Sequence, residues 1–587
     1  MTIKKNNYLN MKKIFLILTL TACVFLFNAC KGDDLGDAVP YDKFYQDLSD
    51  ADRAILGVYA QFTTLAEQII VLNELRADLM DVTTAATPEL ERLNQNQIDE
   101  DNPWISPAKF YAVINSCNDV LANFDKMLAE NKFTQDEYNE RYSDIGALRS
   151  WIYLQLINIY GSVPYITEPL INLADVEKYK GQRENADVLL PKLIDYMLSL
   201  PTLDDYIYST LIEGSPNGYS LEPMFISKRL VLADLYLSNN QYEEAAHHYR
   251  TVMATDETNS NQNIRRRRYR LWNYAFTATS GEPDYYAVLF RDGHIEDMDG
   301  MINTWRYIFA DAPTTRKANS RVAHERIWYI PFDDKLEPAN PFTDLFERYQ
   351  LKASNYAMDL WEQPMRNQFP YDARGLGSSY TGNGNIIKYR ARLSNSSLAQ
   401  LHGFWMLYRA AGLHLRYAEA ANRAGYPYLA SCFLNNGIRN SRYRYQREDE
   451  TYYPDDSCYV TGTSPFDPYP FEYRFDARYP LEWENNGGVR GRVFMPAINF
   501  PEGFTTQLDS IQWLEQQIIR EAALELAFEG HRWGDLVRIA RRMNKKETNS
   551  GYNFMFEENI KKKYDRAGVP APNFTTDEKS WYLPFYE

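Results

Sequence analysis

The chain has 587 residues and a formal net charge of −16, with 45 Tyr and 11 Trp. Its length permits several domains and a large core, whereas its acidity disfavours nucleic-acid binding, which relies on a basic surface. The Tyr and Trp side chains offer flat apolar faces with polar tips, which suit sugar rings or a partner surface, although most are expected to pack between helices.

The N-terminus carries the pattern of a secretory signal. Two lysines precede an uncharged run, residues 14–29, which is shorter than the roughly 20 residues that a membrane-spanning helix needs. Ala29 is the small residue typical of a cleavage point, and Cys30 follows it directly. This arrangement resembles a bacterial lipoprotein signal, so residues 1–29 are predicted to be the signal peptide and Cys30 the lipidated N-terminus.

Alternatives remain open at this end of the chain. Cys23, in "LTAC", matches the usual lipobox letters better, but cleavage there would leave the apolar residues 24–27 on the mature chain. A plain signal peptide with a chance cysteine is a lesser alternative. Met11 is an alternative start, because residues 1–10 add nothing that a signal needs. The letters KGDD after Cys30 resemble the acidic tag of lipoproteins that face the cell exterior, so residues 30–48 are predicted to be a lipidated tether in the outer membrane.

Helical periodicity dominates residues 49–254, which form the first predicted region of the body. Apolar residues recur three and four apart from Ser49, the predicted cap, to residue 80 and again over residues 106–130. A third helix is predicted to end at Gly161, because glycine there and Pro164 beyond are typical of a helix end.

Two segments predict helical pairs. Residues 226–253 read as two helices joined at Ser238-Asn239-Asn240, and residues 407–439 have a similar form. In the first pair the spacing of small and aromatic residues resembles a tetratricopeptide unit. The fold class predicted is therefore mainly α, with a tetratricopeptide-like scaffold of helical pairs and a loop-rich irregular part.

The helical periodicity is interrupted by two loop-rich segments. Residues 255–400 intersperse Gly, Pro, Asn and aromatics with short apolar runs, which predicts long ordered loops with a few short strands and a ligand-binding role. The C-terminal region, residues 401–587, contains a second loop insert at 441–508 and then a predicted helix at 509–543.

Enzyme motifs are missing from the sequence. It holds no HExxH, GxSxG or CxxC, so we predict no catalytic residues, no metal site and no cofactor. His247 and His248 are predicted to be surface residues. Glu521, Glu525 and Glu529 lie one helical turn apart, a spacing typical of structural ion pairs.

Two other features stay open. The run RRRRYR, residues 265–270, is predicted to be a solvated loop or to pair with the protein's own acids; an anionic glycan or a carboxylate-rich partner is the alternative. Three cysteines follow Cys30, so at most one disulfide can form, and Cys432 with Cys458 is the guess.

The stretch IIREAALELAFEGHRWGDLVRIA resembles the C-terminal signature of the SusD/RagB family. The residues that carry the resemblance are Arg520, Glu521, Glu525, Leu526, Glu529, Gly530, Arg532, Trp533, Asp535, Leu536 and Arg538. Other pieces follow in the family's order: AILGVYAQF, NELRADLM, ALRSWIYLQLINIYGSVPYI, YDARG with IIKYR, LRYAEAANRAG and SWYLPFYE. The closing piece departs from the family's usual Pro-Ile-Pro, which is Leu583-Pro584-Phe585 in this chain.

The resemblance implies a function and partners. Such proteins bind oligosaccharide or polysaccharide at the cell surface, are not enzymes, and sit on SusC-like TonB-dependent transporters of the outer membrane. A peptide-binding relative of the RagB type is the alternative, and a transporter accessory without strong ligand binding is a third hypothesis.

The resemblance also places the ligand site in the loops of residues 255–400 and in the loop after the first long helix. Aromatic platforms with Asn, Asp or Arg nearby are the side chains that sugars need. The candidate ligand residues are Trp272, Tyr274, Asp284, Tyr285, Tyr286, Asn303, Trp305, Arg306, Tyr307, Asn94 and Asn96.

Overall fold

The structure is a computed structural model. It describes residues 44–203, 224–253, 305–306, 308–309, 325–332, 339–366, 369–370, 372–390, 403–435, 437, 488–493, 495–545, 559–575 and 577–586. Two compact units are distinguished, residues 1–51 and 52–587. The predicted signal peptide, Cys30, the arginine run and Cys458 lie outside the described residues, whereas Cys432 is described and buried.

The N-terminal region is helical, in agreement with the prediction. Its elements are α1 (Leu48–Thr63), α2 (Ala66–Ile70), a π-helical turn (Val71–Leu75), β1 (Met80–Val82), α3 (Pro88–Asn94), α4 (Ala108–Ala129), α5 (Gln135–Tyr160), β2 (Ser162–Val163), α6 (Leu173–Glu177), β3 (Glu184–Asn185), α7 (Ala186–Ser199), α8 (Lys228–Ser238) and α9 (Tyr242–Met253).

The later elements alternate short strands with helices. They are β4 (Arg326–Phe332), a π-helical turn (Thr343–Glu347), β5 (Leu351–Ala353), α10 (Asn355–Glu362), β6 (Met365–Arg366), β7 (Phe369–Pro370), β8 (Gly403–Arg409), α11 (Ala410–Arg423), α12 (Pro427–Leu434), α13 (Gln507–Glu525), α14 (Arg532–Lys545) and α15 (Lys561–Ala567). Each described sheet is an antiparallel pair, β1 with β5, β2 with β3, β4 with β8 and β6 with β7.

The first predicted helix is broken, and it begins one residue before the predicted cap. Asp47 accepts the backbone N–H of Asp50 at 3.1 Å, so Asp47 caps α1 and Ser49 lies inside it. Among the described residues no single helix is long and apolar enough to cross a membrane. The bent pair of α1 with α2 and its π turn, with 45° between the two parts, meets that requirement by length and composition.

A largely buried carboxyl on α2 makes stability depend on pH. Burial raises the pKa of Glu67 from 4.5 to about 7, with Asp344 adding to the rise and Lys109 opposing it. The folded state therefore holds this proton more tightly than the unfolded state. The stability that this proton contributes is full below about pH 4.5 and is lost as the pH rises towards 7.

Replacing Glu67 by glutamine is expected to raise the unfolding midpoint in urea at pH 8 and to leave it nearly unchanged at pH 4, because glutamine mimics the protonated form. Asp99→Asn, at an exposed acid, is the control and should not change the pH profile. A larger gain at pH 4 than at pH 8 would contradict the assignment.

The helix α5 ends where the sequence predicts. It begins at a capping box of Thr134 and Glu137 and ends at Gly161, whose φ of 71° is a conformation that favours glycine.

The two helical pairs also form as predicted. The antiparallel neighbours α8 and α9 pack against each other, as do α11 and α12, and α11 packs on both α9 and α13. This stack is the scaffold that carries the irregular parts.

The surface prediction for the two adjacent histidines is wrong for one of them. His248 is buried on α9 and stacks on Tyr236 with ring centroids 5.6 Å apart, whereas His247 is half-buried. The buried face of α9 includes Ala245 and Tyr249, so His248 has the helical spacing of a core position. Burial lowers the pKa of His248 to about 4, and the neighbouring His247 adds to the effect.

The predicted continuous helix at 509–543 is in fact two helices, α13 and α14. The chain turns between them through Phe528 and Gly530, whose φ angles are 69° and 87°. The carboxylate of Glu74 accepts backbone N–H groups of Phe528, Gly530, His531 and Arg532 at 2.7–3.4 Å. A distant acid therefore satisfies the N–H groups that this turn exposes.

Candidate functional site

A buried apolar cluster, here named the loop base, includes Trp305, Ile308 and Phe309 of the predicted ligand region. The loop base consists of Trp305, Ile308, Phe309, Ala373, Met406, Val493 and Met495. Its first three residues follow the segment 254–304, and its last two follow the insert 438–487; neither segment is among the described residues. The chain therefore returns from both loop-rich segments to one cluster.

The insert is also closed at its two ends. The backbone N–H groups of Val489, Arg490 and Gly491 donate to three consecutive carbonyls at the end of α12, at 3.0, 2.9 and 2.6 Å. Gly488 has φ of 66°, and a Cβ there would lie 2.3 Å from the carbonyl oxygen of Asn435. Only glycine fits this closure, because a side chain would collide with the backbone.

Two buried cations face the aromatic rings of the loop base. The guanidinium carbon of Arg409 lies 5.6 Å from the ring centroid of Trp305 and 5.5 Å from that of Phe309. The ammonium of Lys388 lies 6.0 and 4.7 Å from the same two centroids. These distances are those of cation–π contacts, which strengthen when the cation is desolvated.

Both cations belong to a buried set of charges, here named the ion network. Its members are Glu325, Asp372, Arg374, Lys388, Arg409, Arg490, Glu521, Glu525 and Glu529. Arg409 donates from Nε to Glu529 at 2.8 Å and from Nη1 to Glu325 at 2.9 Å and Glu525 at 2.7 Å. Its planar fork therefore joins three carboxylates.

Arg374 joins another part of the ion network. It donates to both oxygens of Asp372, at 2.9 and 2.8 Å, and to Glu521 at 2.6 Å and Glu525 at 3.0 Å. The insert is tied to the same acids, because Arg490 donates to Glu521 at 2.5 Å. This confirms the structural ion pairing predicted for the three glutamates of α13 and the turn after it.

In the ion network, most charged groups are kept ionised by their partners of opposite charge, although burial favours their neutral forms. Burial lowers the pKa of Arg374 and Arg409, but the surrounding carboxylates outweigh it and hold both well above the usual value. Burial raises the pKa of Glu521 and Glu529, and their cationic partners reverse this to a net decrease. For Lys388 burial dominates, so its pKa is lowered even though Glu529 opposes the change.

This arrangement supports a positioning role. The loop base and the ion network fix the ends of two long segments on the helical scaffold by apolar packing, cation–π contacts and charge-assisted hydrogen bonds. Within the described ranges, no group of three or more His, Cys, Asp or Glu side chains is arranged to hold a metal ion.

Only four of the candidate ligand residues are described. Trp305 is fully buried in the loop base, which does not support its predicted contact with ligand, because its ring is covered by Arg409 and Lys388. Arg306 is half-buried beside it. The candidates Trp272, Tyr274, Asp284, Tyr285, Tyr286, Asn303 and Tyr307 lie outside the described residues.

The two asparagines of the N-terminal loop differ. Asn94 is buried: its amide donates to Asp81 at 2.9 Å and its side-chain oxygen accepts from Lys563 at 2.6 Å, which favours a structural role over ligand contact. Asn96 is half-buried with φ of 54°, a left-handed conformation that asparagine tolerates, and it stays a ligand prediction.

Arg409 and Lys388 were not predicted as functional residues. Arg409 ends the strand β8 and Lys388 lies in a turn, and the sequence pattern marks neither position. Their partners Glu525, at the end of α13, and Glu529, in the turn after it, are more than 110 residues away along the chain. The local signal that exists is the Asp372-x-Arg374 spacing, whose two side chains do pair.

Comparison with known proteins finds similarity to SusD-like proteins. A profile of the SusD family matches residues 475–587. The SusD-like protein P2 of Formosa agariphila is 23% identical over 239 residues, which are 40% of this chain and 43% of that protein, so the alignment spans less than half of the curated relative.

Solved structures resemble the whole fold. A SusD-like carbohydrate binding protein from Bacteroides fragilis has a TM-score of 0.55 and 13% identity, and covers 92% of this chain and 97% of that one. A SusD superfamily protein from Bacteroides thetaiotaomicron has a TM-score of 0.51 and 16% identity, with 87% and 93% covered. At such identities the likeness establishes the fold alone.

Proposed function

Because the chain belongs to the SusD/RagB family, whose members are associated with the outer membrane, we propose that it is a cell-surface lipoprotein that binds oligosaccharide or polysaccharide. It delivers the glycan to a SusC-like TonB-dependent transporter. The observation that carries the proposal is the SusD match over residues 475–587, which includes the glutamates that anchor the loop base.

The glycan contacts are assigned to the loop-rich region. The loop base sets the end of that region on a rigid support, as a precise binding site requires. Within the region, Trp272, Tyr274, Tyr285 and Tyr286 supply aromatic faces. Asp284, Asn303, Arg306 and Tyr307, with Asn96 from the N-terminal loop, supply hydrogen-bonding groups for sugar hydroxyls.

The membrane anchor is part of the same proposal. Lipid chains on Cys30 hold the protein at the outer face of the outer membrane, and the segment of residues 30–48 acts as the tether. The body needs no spanning helix for this role, because acyl chains anchor a protein without crossing the bilayer.

Removing two loop aromatics is expected to abolish glycan binding. The variant Trp272→Ala/Tyr274→Ala, made in the soluble chain of residues 31–587, should lose retardation in native gels that contain neutral plant, microbial or host polysaccharides. Stacking on a ring contributes about 1 kcal/mol or more for each aromatic, and weak glycan binding does not survive the loss of two.

The control is Tyr179→Ala, at a half-buried tyrosine that follows α6 and lies outside the loop-rich region, which should migrate like wild type. Retardation by acidic glycans alone would assign a binding role to residues 265–270. No retardation by any glycan, with peptides found by mass spectrometry in the purified protein, would replace the proposal with peptide capture.

A further inference from the structure

One excursion of the helical scaffold presents apolar side chains to solvent. The strands β2 and β3 pair with each other, and the chain between them carries the short helix α6, none of whose residues is buried. Ile171 and Leu173 are 86% and 72% exposed, the highest values among the large apolar side chains of the described residues, and Val176 is 49% exposed. We call these three side chains the apolar tip.

The three side chains of the apolar tip belong to one patch. Leu173 and Val176 are three residues apart on α6 and therefore share a face of the helix. A capping box fixes the start of α6 at Asn172. Ile171 thus precedes the cap and Val176 takes the fourth helical position, and these are the two positions that pair in a hydrophobic staple.

Hydrogen bonds to α4 fix the chain that leads to the apolar tip. The side chain of Asn115 donates to the carbonyl of Leu170 at 3.3 Å and accepts the N–H of the same residue at 2.7 Å. Asn118, further along α4, donates to the carbonyls of Ile166 and Glu168, each at 3.1 Å. A segment that is already ordered loses little conformational freedom on binding, so the apolar tip is preorganised for contact with a partner.

The charges beside the apolar tip are balanced. Lys178 pairs with Asp175 at 3.0 Å. Lys180 pairs with Glu177 at 3.4 Å. Residues 171–180 hold no other charged side chain, so this segment has no net positive charge that would draw it to anionic lipids. The surface that suits it is therefore an apolar pocket of a protein.

A second copy of this chain is a poor partner for the apolar tip. Its high exposure means that the tip protrudes, so two tips would not cover each other. Three side chains also fall far short of the roughly 20 residues and about 800 Å² that each partner contributes to a stable interface. The cleft between α5, α8, α11 and α14 offers no apolar seat, because polar side chains such as Asp234 and Arg538 line it.

We propose that the apolar tip docks into an apolar pocket on the extracellular face of the SusC-like transporter. The inference rests on the proposed function, which contains this one protein partner, and it adds the surface of this chain that meets the partner. The lipid anchor keeps the chain in the membrane that holds the transporter. This raises the effective concentration of the two proteins, so a small apolar contact within a larger interface contributes to the complex.

The first test is photo-crosslinking in the cells that encode the chain. The full-length tagged variant Leu173→benzoylphenylalanine should give, on irradiation, an adduct that contains peptides of the TonB-dependent transporter, identified by mass spectrometry. Leu508→benzoylphenylalanine, at a leucine of α13 that is 59% exposed, is the matched control and should give no transporter adduct. Equal adduct yields at both positions, or an adduct with a second copy of the chain, overturn the proposal.

Co-purification measures how much the apolar tip contributes. Ile171→Ser/Leu173→Ser should lower the amount of transporter that co-purifies with the tagged chain by about tenfold or more, since two apolar side chains lose their burial, whereas Leu508→Ser should not. Made in the soluble chain of residues 31–587, the double variant should keep its glycan retardation and its melting temperature, because both side chains are exposed.

The outcomes separate docking from the proposed function. Undiminished co-purification of the transporter with Ile171→Ser/Leu173→Ser overturns the role of the apolar tip and leaves delivery intact. Absence of the transporter from the wild-type purification overturns delivery, and docking with it. Flotation of the soluble chain with vesicles of phosphatidylethanolamine and phosphatidylglycerol, if lost in the double variant, overturns docking and assigns the apolar tip to the lipid surface.

Discussion

Replacement of Glu74 by alanine is expected to lower the free energy of unfolding by about 3–5 kcal/mol, one of the largest effects of any single change in this chain. The residue is fully buried, and its carboxylate accepts four backbone N–H groups at the turn between α13 and α14. Alanine leaves all four without partners. Burial raises the pKa of Glu74 to about 7 and the four N–H groups oppose the rise; since each of them donates, the ionised form fits this site.

Glutamine at position 74 provides an intermediate step. The side-chain oxygen of glutamine can still accept the N–H groups of Gly530, His531 and Arg532. Its NH2 group, however, would face the N–H of Phe528, so two donors would meet without an acceptor. The free energy of unfolding is therefore expected to fall by about 1–3 kcal/mol. Urea unfolding measures the order wild type, Glu74→Gln, Glu74→Ala. Glu91→Gln, at an exposed glutamate of α3, should change stability by less than about 0.5 kcal/mol. Equal stability of both Glu74 variants and this control would refute the capping role.

The same contact explains why the helix at 509–543 could not be predicted correctly. Its sequence is compatible with one long helix, and Gly530 alone is a weak break signal. What stabilises the turn is a carboxylate that comes from more than 450 residues earlier in the chain. Local periodicity does not contain that information.

Features with local chemistry were predicted well. The end of α5 at Gly161 and the pair α8 and α9 follow from helix-end residues and three-and-four spacing. The ion-pairing role of Glu521, Glu525 and Glu529 followed from their spacing of one turn, although their cationic partners come from elsewhere.

The candidate site was harder to predict, because exposure depends on what covers a side chain. Trp305 has the composition of a sugar platform, but Arg409 and Lys388 cover its ring. Asn94 carries an amide of the kind that hydrogen-bonds sugar hydroxyls, but its side-chain oxygen already accepts a hydrogen bond from Lys563. In both cases the covering group is distant in sequence, so residue type alone predicts the wrong environment.

Replacement of Arg409 by methionine is expected to cost about 3–5 kcal/mol, because it leaves three buried carboxylates without their shared cation. Arg409→Lys should lower the free energy of unfolding by a smaller amount than Arg409→Met, since a single ammonium keeps the charge but cannot reproduce the planar fork of the guanidinium. Arg348→Met is the control: its side chain is 76% exposed and its pair with Asp344 contributes at most about 1 kcal/mol. Urea unfolding of the three variants checks the order.

A double-mutant cycle shows whether the ion network, and not lost packing, causes the effect. Glu325→Gln neutralises one of the stranded carboxylates, so in the Arg409→Met background it should restore stability, whereas alone it should reduce it. Since Arg409 also faces Trp305 and Phe309, Arg409→Met should weaken glycan retardation even where the protein is folded, whereas Arg348→Met should not. Additive effects in the cycle, with unchanged retardation, would mean that the charges and the loop base act independently.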